Sequence, residues 1–350
     1  MVWLTAFGAT TVVFGEESTP SISVLASEDP LFETINFQPG FSAGDIEVLG
    51  DGSLLMCVDV DGQIDSMVSG DQGRTWSKRT VLIPRPGGEA GYYHPSLTRL
   101  ADGTLLLSYQ YYAKGTRPVY KVTYFRRSAD DGKTWSEQFF MAMDGAFNDK
   151  PIQLSTGRIL VPVEQEAEIG EHDHEGYVSY TYSSDDGGMS WRPSENKVRA
   201  LPVEAQEPHL VELKNGHILM LCRTYHRYVI RSLSTDGGRT WGPHEPIERL
   251  TLSPWSSAIL VKRIPSTGDL ILLRTSGGEG SLRTPLVSIL SRDEGKTWEK
   301  ERVLAGDPTE VYGYPCLTFV EGVALIGYSS KAGTRVARVA PKWFYSDPNE

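Results

Sequence analysis

The sequence predicts an all-β fold, a six-bladed β-propeller built from four-stranded antiparallel blades. Short β-rich runs separated by Gly, Asp, Asn and Pro recur along all 350 residues, and apolar stripes with helical spacing are hard to find. Two patterns also repeat at the period of a propeller blade. A chain of this length can bury a large core without disulfides.

The first repeated pattern is Ser-x-Asp-x-Gly-x-x-Trp. Its Asp and Gly predict a tight turn, because the Asp side chain bonds nearby backbone N–H groups and Gly adopts positive φ. The Trp that follows is expected to pack between sheets. We therefore expect a structural role, with each copy closing a hairpin late in its blade. The five copies cover residues 69–76, 128–135, 184–191, 234–241 and 291–298.

The second repeated pattern is a turn ending in Gly, followed by an apolar run, and it is expected to join the first two strands of each blade. Its six copies predict six blades. The last copy is weaker and has no Ser-x-Asp-x-Gly-x-x-Trp motif after it, so we expect a strand near residues 31–37 to complete that blade and close the ring. The copies begin at Asp51, Asp102, Thr156, Asn215, Thr267 and Glu321.

The predicted domain organisation is simple. Residues 1–27 are a leader or an N-terminal tail, and residues 28–345 form one propeller domain. Cys57, Cys222 and Cys316 lie in apolar runs, and an odd, sparse set of this kind predicts buried free thiols.

The formal net charge of −11 disfavours nucleic acid and anionic membrane surfaces as partners. It leaves an anionic small substrate open, because a few arginines can reverse the sign of the charge inside one pocket. No stretch is long enough to span a membrane. We expect a monomer.

The innermost strands of three blades open in the same form, a functional side chain followed by proline. These side chains are His94, Glu207 and Tyr314, and Asn148 with Asp149 occupies the comparable place in blade three. Because innermost strands line the central channel of a propeller, we expect these residues to meet around one pocket.

These repeats resemble those of the sialidase (neuraminidase) superfamily, over about residues 30–335. The resemblance implies a retaining exo-α-sialidase-type hydrolase that acts on a terminal acidic sugar through a Tyr nucleophile. It implies Tyr314 as the nucleophile and Glu207 as the base that accepts the phenol proton. Arg223 and Arg283 match two of the three arginines that bind the substrate carboxylate in that superfamily.

Blade one departs from the superfamily pattern. An Arg-Ile-Pro motif supplies the first arginine there, whereas residues 41–46 of this chain contain no Arg. Arg85, Arg117 or Arg274 could replace it.

The general acid is expected in the strand pair of blade one. Asp59, Asp61 and Asp65 are the candidates, and Asp61 is preferred. His94 is not part of the usual sialidase set.

Further substrate-binding candidates are Asn148, Asp149, Gln110 and Glu164. The acidic segment 164–175 contains two histidines, yet its composition favours an exposed loop over a metal site. No metal or organic cofactor is expected. The implied partner is an anionic glycan or oligosaccharide, and this substrate class favours a secreted or periplasmic protein.

Two other functions stay open. A polysaccharide lyase, or a glycosidase for uronate-linked sugars, could use His94 as general base with Arg223 neutralising the uronate. A non-catalytic glycan-binding propeller would bind sugars without turnover, with Tyr314 and Glu207 too far apart to hydrogen-bond.

Overall fold

The structure is a computed structural model. It describes residues 23–26, 32–36, 41–113, 121–142, 150–167, 176–199, 204–253, 259–277, 283–331 and 333–346. These residues form six antiparallel sheets arranged as the blades of a propeller, which confirms the predicted fold class.

Twenty-five strands are present in the described residues. The two strands nearest the N-terminus are β1 (Ser23–Ala26) and β2 (Phe32–Asn36). Blade one contains β3 (Phe41–Val48), β4 (Leu54–Val60), β5 (Gln63–Ser69) and β6 (Thr80–Ile83). Blade two contains β7 (Ala90–Arg99), β8 (Leu105–Ala113), β9 (Lys121–Ser128) and β10 (Phe139–Ala142). Blade three contains β11 (Ile152–Gln153), β12 (Ile159–Ala167), β13 (Gly176–Ser184) and β14 (Arg192–Pro193).

The remaining blades follow the same order along the chain. Blade four contains β15 (Gln206–Glu212), β16 (Ile218–Arg223), β17 (Tyr228–Ser234) and β18 (Glu245–Thr251). Blade five contains β19 (Leu260–Arg263), β20 (Leu270–Thr275), β21 (Leu286–Ser291) and β22 (Glu299–Ala305). Blade six contains β23 (Gly313–Val320), β24 (Val323–Ser330) and β25 (Gly333–Val339), and a 3-10 helix, Pro341–Phe344, follows it.

Blade six is completed by the N-terminal strands. Strand β2 pairs antiparallel with β25, from Phe32 opposite Val339 to Asn36 opposite Arg335, so the predicted strand near residues 31–37 is confirmed. Strand β1 then pairs with β2 and gives this sheet a fifth strand. The pairing of β2 with β25 covers the edge that β25 would otherwise expose.

The Ser-x-Asp-x-Gly-x-x-Trp motifs form the same turn in their blades, as the copy at residues 69–76 illustrates. Ser69 Oγ donates to Asp71 Oδ1 (2.9 Å), and Gly73 N donates to Ser69 Oγ (2.9 Å). Thr75 N and Oγ1 both donate to the Asp71 carboxylate (2.8 and 2.7 Å). Gly73 has φ of 81°, a left-handed conformation that Gly adopts without steric cost. The polar groups of the motif therefore hydrogen-bond to one another within the turn, consistent with a structural role.

The core is divided into six apolar clusters, each shared by two neighbouring blades. The cluster between blades six and one contains Trp76 with Met56 and Val58 of blade one and Leu325 of blade six. Trp241 and Trp298 likewise pack against the preceding blade. The motif tryptophans thus join one sheet to the next.

Cys57, Cys222 and Cys316 are buried free thiols, as predicted. No helix in the described part of the chain has the length and hydrophobicity needed to cross a membrane.

A largely buried ion network links three consecutive blades. Lys150 Nζ lies 2.9 Å from Glu47 Oε2 and 3.4 Å from Asp45 Oδ2. Asp45 also accepts the backbone N–H of Leu97 in blade two (2.8 Å). Burial disfavours the charged Lys150 side chain, but the carboxylates of Asp45 and Glu47 outweigh it and raise the Lys150 pKa. The network links blades one and two to Lys150, just before the first strand of blade three.

The motif turns should make the propeller less stable in acid. The side-chain hydroxyl and backbone N–H of Thr134, with Ser128, lower the pKa of Asp130 to about 2. Because this pKa is depressed in the folded state, the stabilisation is complete above the unfolded Asp pKa of about 3.9 and is lost as the pH falls through about 2. Asp130→Asn should therefore lower the melting temperature near neutral pH and differ little from wild type near pH 2. Thermal melts across this range check it, and a constant difference would contradict it.

Candidate active site

The innermost strands of blades one, two, four and six each have a β-bulge close to where the strand opens at the mouth of the channel. In blades two, four and six, one residue other than Gly at the bulge has positive φ: His94 (53°), Glu207 (44°) and Tyr314 (46°). A bulge redirects a side chain, and backbone strain of this kind clusters at functional sites. The strand registers are irregular between Tyr93 and Ser96, Gln206 and His209, and Gly313 and Cys316.

The second strand of each blade places one residue beside these bulges. In each blade this residue lies eight positions after the residue that begins the turn between the first two strands, as Asp59 lies eight positions after Asp51. In blades two, four and six it pairs directly with the residue preceding the left-handed one, as Arg223 pairs with Gln206. We call these residues the pocket ring, and all except the half-buried Ser329 are buried. The pocket ring consists of Asp59, Gln110, Glu164, Arg223, Thr275 and Ser329.

Glu207 and Arg223 form a buried ion pair at the centre of this arrangement. Arg223 Nε donates to Glu207 Oε2 (2.5 Å), and the two residues are 3% and 7% exposed. Burial disfavours the Arg223 cation, but the Glu207 carboxylate, and Glu164 beyond it, raise its pKa above the ordinary value. Arg223 Nη1 is buried with no hydrogen-bond partner among the described residues. A guanidinium N–H in this state is suited to donate a hydrogen bond to an anionic ligand group.

Tyr314 lies beside this pair. The Glu207 carboxylate, followed by burial, raises the Tyr314 pKa, and Arg283 and Arg223 oppose the shift only in part. The Arg283 guanidinium lies 5.9 Å from the centre of the Tyr314 ring, and the His94 ring centre lies 5.5 Å from it. Tyr314 is therefore neutral at neutral pH, next to a carboxylate that can take its proton.

Two carboxylates of the pocket ring accept a hydrogen bond from the backbone of a left-handed residue in the following blade. Glu164 Oε2 accepts the backbone N–H of Glu207 (2.8 Å), and Asp59 Oδ2 accepts that of His94 (3.1 Å). Sequence reasoning missed both contacts. The constant spacing between the turns and the pocket ring was the signal that could have pointed to them.

Tyr112 is another pocket residue that sequence reasoning missed. Its ring centre lies 6.4 Å from that of His94 and 5.7 Å from that of Tyr93. Burial, followed by the charge of Glu164, strongly raises its pKa. The cluster of Tyr residues near the ends of the first two strands of blade two was the available signal.

The three candidate acids of blade one lie in different places. Asp59 is 3% exposed and belongs to the pocket ring. Asp61 is exposed in the tight turn between β4 and β5, with φ of 49°. Asp65 is buried and paired with Arg79, whose Nε lies 2.9 Å from Asp65 Oδ2. Of the three candidates, Asp59 is the one that contacts His94, and the His94 ring in turn contacts Tyr314.

The remaining predicted residues are placed as follows. Gln110 is fully buried and is the pocket-ring residue of blade two, as Asp59 is that of blade one. Asn148 and Asp149 lie outside the described residues, and so does Arg117. Arg274 is paired with Glu301 and donates to Thr251 O, and Arg85 Nε donates to Ala90 O (3.3 Å).

Blade one lines the space beside Tyr314, between blades six and one, with apolar side chains. A pocket there encloses about 240 Å³, open solvent included, and its walls include Ile46, Met56 and Val58 of blade one with Cys316 of blade six. In the described part of the chain, no group of three or more His, Cys, Asp or Glu side chains could hold a metal ion.

The chain is thus a six-bladed β-propeller with a buried polar cluster at one mouth of its channel. A family model of BNR repeat-like domains matches residues 58–326. The chain belongs to this family, and the resemblance to the sialidase superfamily is confirmed.

The relatives that match in sequence are named as sialidases. A sialidase of Micromonospora viridifaciens is 26% identical over 348 residues, covering 87% of this chain and 52% of the relative. An anhydrosialidase of Macrobdella decora is 24% identical over 220 residues, covering 55% of this chain and 27% of the relative. The chain therefore spans about half of the first relative and less of the second.

Solved structures share the fold. A Hadza microbial sialidase superposes with a TM-score of 0.72 at 19% identity, covering 87% of this chain and 66% of that one. A protein of unknown function from Dyadobacter fermentans superposes with a TM-score of 0.70 at 18% identity, covering 86% of this chain and 95% of that one.

Removing one partner of the buried ion pair should destabilise the protein. Arg223→Met leaves the Glu207 carboxylate buried without its cation, and we expect a loss of about 3–5 kcal/mol in the free energy of unfolding. Glu207→Gln combined with Arg223→Met should recover part of it, because the charge left behind is then removed. Urea denaturation of the two variants measures this, and a loss below about 1 kcal/mol for Arg223→Met would show a solvated pair.

Proposed function

We propose that the chain is a sialidase-like glycoside hydrolase that removes a terminal acidic sugar from a glycan with retention of configuration. The observation that carries the proposal is the buried cluster of Tyr314, Glu207 and Arg223, in which a carboxylate lies beside a neutral phenol and an arginine N–H is unpartnered. The sialidase relatives support the same class of reaction. Export and a monomeric state remain predictions from the sequence.

Arg223 and Arg283 are the proposed binding groups for the substrate carboxylate. Arg223 is held by Glu207 through Nε, which leaves its Nη1 for a ligand. The Arg283 guanidinium lies 5.9 Å from the centre of the Tyr314 ring. Two guanidinium groups near the nucleophile would bind a carboxylate next to the anomeric carbon, as a nonulosonic acid carries it.

In the first chemical step, Tyr314 Oη forms a bond to the anomeric carbon and the bond from that carbon to the leaving oxygen breaks. Glu207 takes the phenol proton, because a phenol of raised pKa is a weak nucleophile while it is protonated. An acid gives the leaving oxygen its proton. Water then attacks the anomeric carbon and gives a proton to that acid, the bond to Tyr314 breaks, and Glu207 returns the proton to the phenolate. These steps need no metal or organic cofactor.

Asp59 is our candidate for the acid. It occupies the same pocket-ring position in blade one that Arg223 occupies in blade four. It is buried and bonded to the backbone of His94, whose ring contacts Tyr314. Asp61, preferred from the sequence, lies two residues further on in an exposed turn, and the pairing of Asp65 with Arg79 makes it the weaker choice.

The position of His94 favours a second candidate function, a lyase or hydrolase for uronate-linked sugars. Its imidazole lies against Tyr314, with the ring centres 5.5 Å apart, and near the ring of Tyr112. His94 could then abstract the proton at C5 of a uronate while Tyr314 protonates the leaving oxygen. The unsaturated product of this elimination absorbs ultraviolet light, and hydrolysis products do not.

Hydrolysis of a fluorogenic sialoside tests the leading proposal. Wild type should release the fluorophore, and Tyr314→Phe should abolish release, because the substitution removes the nucleophilic oxygen and keeps the ring. Equal activity in both proteins would remove Tyr314 from the mechanism. Tight binding of the sialoside without turnover in either protein would favour the glycan-binding alternative.

A matched pair of variants tests the acid. Asp59→Asn should lower kcat by about 10²–10⁴-fold on a sialoside with a poor leaving group, and less on an aryl sialoside whose leaving group needs no proton. Asp61→Asn should have little effect, and Asn tolerates the left-handed backbone of that turn. The opposite order of the two effects would restore Asp61 as the acid.

A further inference from the structure

The left-handed bulge at Glu207 is held from the neighbouring blade. Glu164 belongs to the pocket ring of blade three, and its Oε2 accepts the backbone N–H of Glu207 in blade four (2.8 Å). Both carboxyl groups are buried, at 6% and 3% exposure. Asp59 makes the equivalent contact from blade one to His94 in blade two (3.1 Å). The same device therefore occurs twice at equivalent positions of the repeat.

A residue other than Gly in the left-handed region persists only where its surroundings enforce that conformation. Pro208 follows Glu207 and disfavours the right-handed helical region for it, but it does not select positive φ. A charged acceptor on the backbone N–H is a strong directional constraint in a buried site. Rotation of the Glu207 backbone would break this bond and leave the buried Glu207 N–H without its acceptor.

We propose that Glu164 is a positioning residue, whose carboxylate fixes the left-handed bulge of Glu207 and thereby aims the Glu207 side chain at Tyr314 and Arg223. The proposal rests on the proposed function in taking Glu207 as the base of the reaction. It replaces the predicted role of Glu164 in binding the sugar. The hydrogen-bond acceptor of Glu164 is the essential property, and its negative charge is secondary.

Two substitutions of Glu164 separate the acceptor from the charge. Glu164→Gln removes the charge and keeps an oxygen that can accept the Glu207 N–H, whereas Glu164→Leu removes both in a side chain of similar size. The readout is the ionisation of Tyr314, followed by NMR of protein labelled with ¹³C at the tyrosine Cζ. Tyr314→Phe identifies the resonance.

We expect Glu164→Gln to leave the Tyr314 titration unchanged. Glu164→Leu should lower the Tyr314 pKa, because the Glu207 carboxylate that raises it moves away. An equal downward shift in both variants would make charge the cause and overturn the proposal, as would no shift in Glu164→Leu. If the leucine variant does not fold, Glu164→Ala takes its place with the same expected shift.

Kinetics on the fluorogenic sialoside give a second readout. We expect Glu164→Leu to lower kcat by about 10²-fold with little change in KM, since misplacement of a catalytic group by about 1 Å has an effect of this size. Glu164→Gln should stay close to wild type. A similar rise in KM in both variants would instead place Glu164 on the substrate. If wild type is inactive on sialosides, the proposed function fails, and the Tyr314 titration still decides the role of Glu164.

Discussion

Closure of the ring is the constraint on which the rest of the molecule depends. Strand β2 pairs with β25, so one sheet contains chain from both ends of the described sequence. Blade six can then pack against blade one through the cluster of Ile46, Met56, Trp76 and Leu325. Tyr314 opens the innermost strand of blade six, so the same closure fixes its position against the other blades. Without it, β25 would expose an unpaired edge and the pocket would lose one wall.

The closed ring brings side chains that are distant in sequence to one mouth of the channel. His94, Glu207 and Tyr314 project from bulges in blades two, four and six, and the pocket ring lies beside them. Blades one and three contribute the carboxylates of Asp59 and Glu164 to this mouth, and blade four contributes the Glu207–Arg223 ion pair. Under the proposed function, the substrate carboxylate would bind Arg223 and the glycosidic oxygen would lie near Asp59.

Much of the fold could be predicted because it depends on local chemistry. The Ser-x-Asp-x-Gly-x-x-Trp turn satisfies its own hydrogen bonds, so its sequence pattern is sufficient to recognise it. Counting the turns gave six blades, and the incomplete last blade pointed to the N-terminal strand. The similarity of the segments at Glu207 and Tyr314 also has a local cause, since a left-handed residue followed by proline recurs at both.

Contacts between blades could not be predicted in the same way. The bond from Glu207 N to Glu164 joins residues 43 positions apart, and the spacing alone does not show which atom accepts it. The choice between Asp59 and Asp61 depends on where β4 ends, and strand ends are the least reliable part of a prediction from sequence. Tyr112 acquires its place in the site through packing against His94 and Tyr93.

Covalent trapping tests the central claim most directly. A fluorinated sialosyl fluoride forms the glycosyl–enzyme bond readily, and the second fluorine slows its hydrolysis, so the modified residue can be located by mass spectrometry of peptides. The proposed chemistry predicts one added sugar, attached to the peptide that contains Tyr314, and no adduct in Tyr314→Phe. An adduct on another residue, or none in a wild-type protein that hydrolyses sialosides, would contradict Tyr314 as the nucleophile.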